Sequence, residues 1–77
     1  VSEMEEALLD GEEVKKAMAF FGELEERESQ ILTMRFGLDG SEPLTLKEIG
    51  KKLGLTRERA RQIQHNALAK LNEYMTI

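Results

Sequence analysis

Two helix starts stand eleven residues apart in the C-terminal half, at Thr45 and Thr56, with one glycine turn between them. Thr45 is followed three positions later by Glu48, a capping box in which each side chain satisfies the other residue's backbone N–H. Leu46, Ile49 and Leu53 then recur at helical spacing, and Gly54 supplies a stop. Thr56 caps a longer helix that is predicted to run to about Tyr74. A short helix, a glycine turn and a helix headed by Arg57-Glu58-Arg59-Ala60-Arg61-Gln62-Ile63 form the sequence signature of a helix-turn-helix.

The faces of that last helix follow from a rotation of ~100° per residue. Ala60, Ile63, Ala67, Leu71 and Tyr74 fall within a sector of roughly 80°, which is the predicted core face. Glu58, Arg61, Gln62 and His65 occupy the opposite side, and Arg57 and Arg59 flank them at the helix start. The residue types suit the major groove. Arg bonds guanine O6 and N7, Gln pairs with adenine N6 and N7, and Glu accepts from the cytosine amino group. A helix N-terminus such as that after Thr45 presents free N–H groups and the positive dipole end to a phosphate. The competing reading of the charged residues is a solvated, salt-bridged helix face.

Upstream, residues 3–21 show helical periodicity, with Val14, Ala17, Met18 and Phe21 on one stripe. Gly11 divides this stretch into a frayed lead-in and a firmer helix, and Gly22 is its stop. A second helix is predicted over Glu26–Phe36, capped by Gly37, and residues 38–44 read as a loop. Met18, Phe20, Phe21 and Met34 read as core, but Phe20 and Phe21 are adjacent, so one of them faces outward. The expectation is an all-α, small four-helix domain with a C-terminal helix-turn-helix. It divides into a lead-in (1–10), an N-terminal helical part (11–44) and the helix-turn-helix (45–77). At 77 residues the chain holds one small domain with a modest core. Its start at Val1 reads as a fragment cut from a longer protein.

The net charge of −4 conceals an asymmetry. Residues 1–42 carry 12 acids and 4 bases, whereas residues 43–77 carry 3 acids and 7 bases. A nucleic acid would approach the basic half, and the acidic half is left for protein contact. With no cysteine, disulfides, thiolate metal sites and thiol catalysis are excluded, and a reducing cytoplasm fits. The one histidine lacks partners at ligand spacing, so no metal or cofactor is expected. No apolar run reaches membrane-span length. No catalytic constellation is evident, and the acid pairs sit in polar surroundings. The expectation is a binding module rather than an enzyme.

Four blocks carry a family resemblance: Met34-Arg35-Phe36-Gly37-Leu38, Thr45 to Gly50, Leu55 to Ile63, and Ala67-Leu68-Ala69-Lys70-Leu71. In this order and spacing they resemble region 4 of bacterial sigma factors of the sigma-70 family, primary or primary-like, over about residues 10–74. The resemblance implies recognition of the promoter −35 element as part of RNA polymerase, with the last helix in the major groove. By position, Arg57, Glu58 and Gln62 match the family's base readers. Thr45 and Leu46 match its phosphate contacts, and Arg35, Arg59 and Arg61 match basic positions close to DNA. The family also docks on the flap of the polymerase β subunit, and Leu24, Ile31 and Phe36 are the candidates for that contact. Anti-sigma factors and activators are further partners of such domains, and a monomer is expected in isolation.

Three positions depart from the family pattern. Glu25 replaces a Ser or Thr cap, which predicts a weaker helix start. Asn66, Ala69 and Asn72 replace bases that meet activators, leaving Lys70. Glu73-Tyr74-Met75-Thr76-Ile77 replaces a basic tail. Leu24 to Glu28 also resembles the opening of LuxR-type response-regulator effector domains, so that class and a pure regulator-docking module stay open as alternatives.

Overall fold

The computed structural model describes residues 9–75. The lead-in and the helical pattern expected before Leu9 lie outside the described residues. The described elements are α1 (Gly11–Lys16), a 3-10 segment (Ala17–Glu23), α2 (Glu26–Phe36), α3 (Leu46–Leu53) and α4 (Arg57–Met75). This is the all-α fold expected, with a helix-turn-helix formed by α3 and α4.

The N-terminal stretch departs from simple helical periodicity. Asp10 caps α1 by accepting from Glu13 N–H at 2.9 Å, while Glu13 accepts from Asp10 N–H at 3.2 Å. Gly11 is therefore the first residue of α1, where the firmer helix is expected to begin. After Lys16 the chain tightens into the 3-10 segment. Three residues per turn no longer carry the Val14–Ala17–Met18–Phe21 stripe along one face. Val14 and Ala17 are buried and Phe21 is half-buried, but Met18 turns out to 45% exposure. Of the adjacent aromatics, Phe21 packs against the core and Phe20 lies outside it, stacked on Tyr74 at 5.6 Å between ring centres.

Neighbouring residues on α2 serve different cores. Leu32 joins Val14, Ala17, Ala67, Leu68 and Leu71 in a cluster beneath the N-terminal segments. Ile31 joins Leu46, Ile49, Ala60 and Ile63 in the core of the helix-turn-helix. α2 thus forms a wedge, and α4 is gripped by α3 near its start and by α2 along its later turns. Two grips at different heights explain why α4 buries Leu68 and Gln64 as well as the stripe read from its sequence. Tyr74, placed on that stripe, is half-buried beneath Phe20.

Ile31 is fully buried, which removes it from any surface docking set. Its spacing on α2 is that of a core position, and the core takes it.

Candidate nucleic-acid interface

The α3–α4 turn is built by backbone contacts that tolerate little change. Gly54 closes α3 in the left-handed region at φ 70°, a conformation that glycine adopts without a Cβ clash. Leu55 N–H then donates to Gly50 O at 2.7 Å. The two segments come so close that a Cβ on Gly50 would stand 2.6 Å from Leu55 O. Thr56 follows as the cap of α4, its hydroxyl accepting from Arg59 N–H at 3.0 Å. The first turn of α4 is thereby projected away from the core, with Arg57, Glu58, Arg59 and Gln62 all exposed.

Two pairs form along this face, Glu58 with Arg61 and Arg59 with Gln62. Arg61 Nε lies 2.9 Å and 3.0 Å from the two carboxylate oxygens of Glu58, and its terminal nitrogen adds an ion pair to Oε2. That guanidinium holds the Glu58 carboxyl below the usual carboxylate range, chiefly through the hydrogen bond. Arg59 donates to Gln62 Oε1 at 3.1 Å. Arg61 and His65, placed by sequence on the exposed side, are half-buried at its edge.

The start of α3 is capped as expected. Glu48 N–H donates to Thr45 Oγ1 at 3.1 Å, and Thr45 N–H to Glu48 Oε1 at 2.9 Å. The two bonds with Thr45 hold Glu48 ionised to lower pH than an ordinary glutamate. Thr45 is exposed, whereas the Leu46 side chain is fully buried. Arg35 is half-buried on α2 and donates to Leu44 O at 3.4 Å, tying the end of the loop to the helix that precedes it. Leu24 and Phe36 are half-buried against the N-terminal core, unlike Ile31. A shallow cavity of about 410 Å³ lies beside the α2–α3 loop, lined by Met34, Asp39, Ser41, Glu42, Leu44 and Lys52, and none of the residues matched to DNA contacts lines it.

The polar residue that sequence reasoning missed is Glu28. It is only 5% exposed, accepts from Glu25 N–H at 2.9 Å and pairs with Lys70 Nζ at 2.9 Å. The start of α2 is therefore secured from behind by Glu28, despite a glutamate at its cap. The Glu25-x-x-Glu28 spacing carries a signal for this, because Glu at the third helical position is the reciprocal half of a capping box. Its partner 42 residues away carries none. Lys70, the one base left late in the last helix, is committed to this tie.

The sequence pattern of the family described as Sigma-70, region 4 matches residues 20–73, from the 3-10 segment through nearly all of α4. The chain is 56% identical over 48 residues to the RNA polymerase sigma factor SigA of a Bacillus species. That match covers 62% of this chain and 13% of the relative, so the chain corresponds to a small part of that protein's length. No solved structure matches the chain significantly. These matches set aside the response-regulator alternative. With a capped helix-turn-helix that projects the Arg57–Gln62 face, the chain belongs to the sigma-70 region 4 family.

Proposed function

We propose that this chain recognises the −35 element of promoters as the region 4 domain of a sigma subunit of RNA polymerase. The observation that carries the reading is the exposed first turn of α4. Its Arg57, Glu58 and Gln62 stand on a helix whose position is set by the Gly50–Leu55 approach and the Thr56 cap. In this reading α4 enters the major groove. Arg57 bonds a guanine, Glu58 accepts from an exocyclic amine and Gln62 bonds a neighbouring base. Thr45 Oγ1 and the Leu46 N–H meet a phosphate at the start of α3, with Arg35, Arg59 and Arg61 supplying positive charge near the backbone. The acidic N-terminal half turns away from DNA and faces the polymerase, docking on the β-flap through Leu24 and Phe36. The place of action is the cytoplasm, where the transcription machinery works.

The test is fluorescence anisotropy of the chain at low salt against a TTGACA duplex and a scrambled duplex, with Arg57→Ala and Gln62→Ala in parallel. Tighter binding to TTGACA, lost in both variants, is the expected result. Equal binding to both duplexes overturns base reading.

A second use, docking of a regulator such as an anti-sigma factor or an activator, is favoured by the exposure of Met18 and Phe20. Loss of regulator binding in Phe20→Ser, with DNA binding retained, is its expected signature.

A further inference from the structure

The arginines of α4 are not simply spread as positive charge. Each of two arginines is turned onto a neighbour three residues along the helix. Arg61 grips one edge of the Glu58 carboxylate with Nε and a terminal nitrogen. The Glu58 side chain is nevertheless 64% exposed while that of Arg61 is 24% exposed, so the carboxylate is held from the helix side with its outer edge toward solvent. Arg59 holds Gln62 in a comparable way. A guanidinium can only donate, so the amide oxygen of Gln62 must face Arg59 and its NH₂ must face away.

We propose that Arg61 and Arg59 are positioning residues for base reading, fixing Glu58 as an acceptor and Gln62 as a donor toward the groove. The proposal rests on the promoter-recognition reading and deepens it. Glu58, ionised and braced, accepts from the amino group of cytosine or adenine and is repelled by the acceptor edges of guanine and thymine. Gln62, with its oxygen turned toward Arg59, presents its NH₂ to the groove rather than both ends of the amide, so the two-bond pairing to adenine is disfavoured while the pair holds. It donates instead to an acceptor, such as a purine N7, guanine O6 or thymine O4. Water exclusion in the groove strengthens both contacts relative to the free protein, because charged pairs attract more strongly at lower dielectric. The Glu58–Arg61 unit is also electrically neutral, which removes the repulsion a lone carboxylate would exert on the phosphates.

The experiment measures binding of the chain to TTGACA duplexes carrying every single-base-pair change, across a salt series. The variants are Glu58→Ala, Arg61→Lys, Arg61→Ala, Gln62→Ala and Arg59→Ala. Arg61→Lys is the decisive variant: it keeps the charge and any phosphate contact but loses the planar fork. The expected result is that Arg61→Lys loses discrimination at the same base pair as Glu58→Ala, on the order of 10-fold, with the salt slope unchanged. The Glu58→Ala/Arg61→Lys double variant should discriminate no worse than Glu58→Ala alone. Arg59→Ala should raise the preference for adenine at the base pair read by Gln62, as the amide is released to pair with both ends. Circular dichroism on each variant separates altered reading from loss of fold, and Arg61→Lys retains the stem that packs at the helix edge.

The proposal is overturned if Arg61→Lys preserves every base preference. It is equally overturned if Arg61→Ala keeps every base preference and only weakens all duplexes by one factor while reducing the salt slope by about one, the signature of a phosphate contact alone. If Glu58→Ala and Gln62→Ala themselves leave all base preferences intact, base reading by these residues falls and the positioning role falls with it.

Discussion

Gly50 carries the most stringent requirement placed on any single position of the turn. A methyl group there meets Leu55 O at 2.6 Å, a backbone atom that cannot move without displacing the start of α4. Gly50→Ala is expected to destabilise the chain by about 1–3 kcal/mol, the usual range for forced overpacking, and to weaken DNA binding further by tilting the first turn of α4. Thermal unfolding followed by circular dichroism gives the first effect, and anisotropy on variants still folded at the working temperature gives the second. Thr56 is a milder case, since its hydroxyl satisfies one N–H at the start of α4. Thr56→Ala should cost about 1 kcal/mol with the fold retained, read as a small fall in the denaturation midpoint. Both positions are legible in sequence as turn and cap. The sequence offers a salt-bridged face as one reading of these residues but leaves open which pairs form, and the Glu58–Arg61 and Arg59–Gln62 pairs come from the structure.

At the level of elements, one carboxylate and one lysine couple the helices to pH. Glu48 is held ionised by Thr45, so its protonation is favoured less in the folded chain than in the unfolded one. A lowered folded value means that the stabilisation is present above the ordinary glutamate value, about pH 4.3, and is lost as pH falls through the lowered value. Thr45→Ala should remove this acid-range component, and unfolding curves recorded from pH 6 to pH 3 (roughly the span over which carboxylates titrate) should become less steep in pH. Lys70 shifts in the opposite sense, raised chiefly by its hydrogen bond to Glu28. A raised folded value means that its contribution is complete below the ordinary lysine value, about pH 10.4, and is lost only as pH rises through the raised value. The α2–α4 tie therefore holds across the whole neutral range. Lys70→Met should leave Glu28 buried without its cation, and the expected outcome is a lower melting temperature at pH 7 that recovers when Glu28→Gln is added. The 3-10 segment belongs to this scale as well. Its periodicity was predicted as α-helical because a stripe at three- and four-residue spacing fits either geometry over two turns, and packing beneath α4 selects the tighter one.

For the molecule as a whole, size and charge set the terms. Small domains keep roughly 0.05–0.15 kcal/mol of net stability per residue, so one well-packed core residue is a large part of the total. Leu68 is fully buried where α4 meets the N-terminal core. Leu68→Ala should cost about 2–5 kcal/mol and leave the chain partly unfolded at 37 °C, as measured by urea titration. Charge is divided along the chain, net −8 over residues 1–42 and net +4 over residues 43–77. Its DNA affinity should fall with salt along a shallow slope, because only a few phosphates are neutralised at a slope of about 0.9 per contact.

The sequence by itself determined the helices from Glu26 onward, their caps, the glycine turn and the end of α4 that points outward. These are local matters: a capping box, a left-handed glycine and a 3.6-residue period are each written within a few neighbouring positions. Tertiary structure decided the rest. It sent Ile31 and Leu32 into separate cores, which took Ile31 out of reach of any partner. It also buried Glu28 against a lysine 42 residues away and turned Met18 outward. Each of these outcomes depends on which helix lies against which, and the free energy that settles it comes from contacts between residues far apart in the chain.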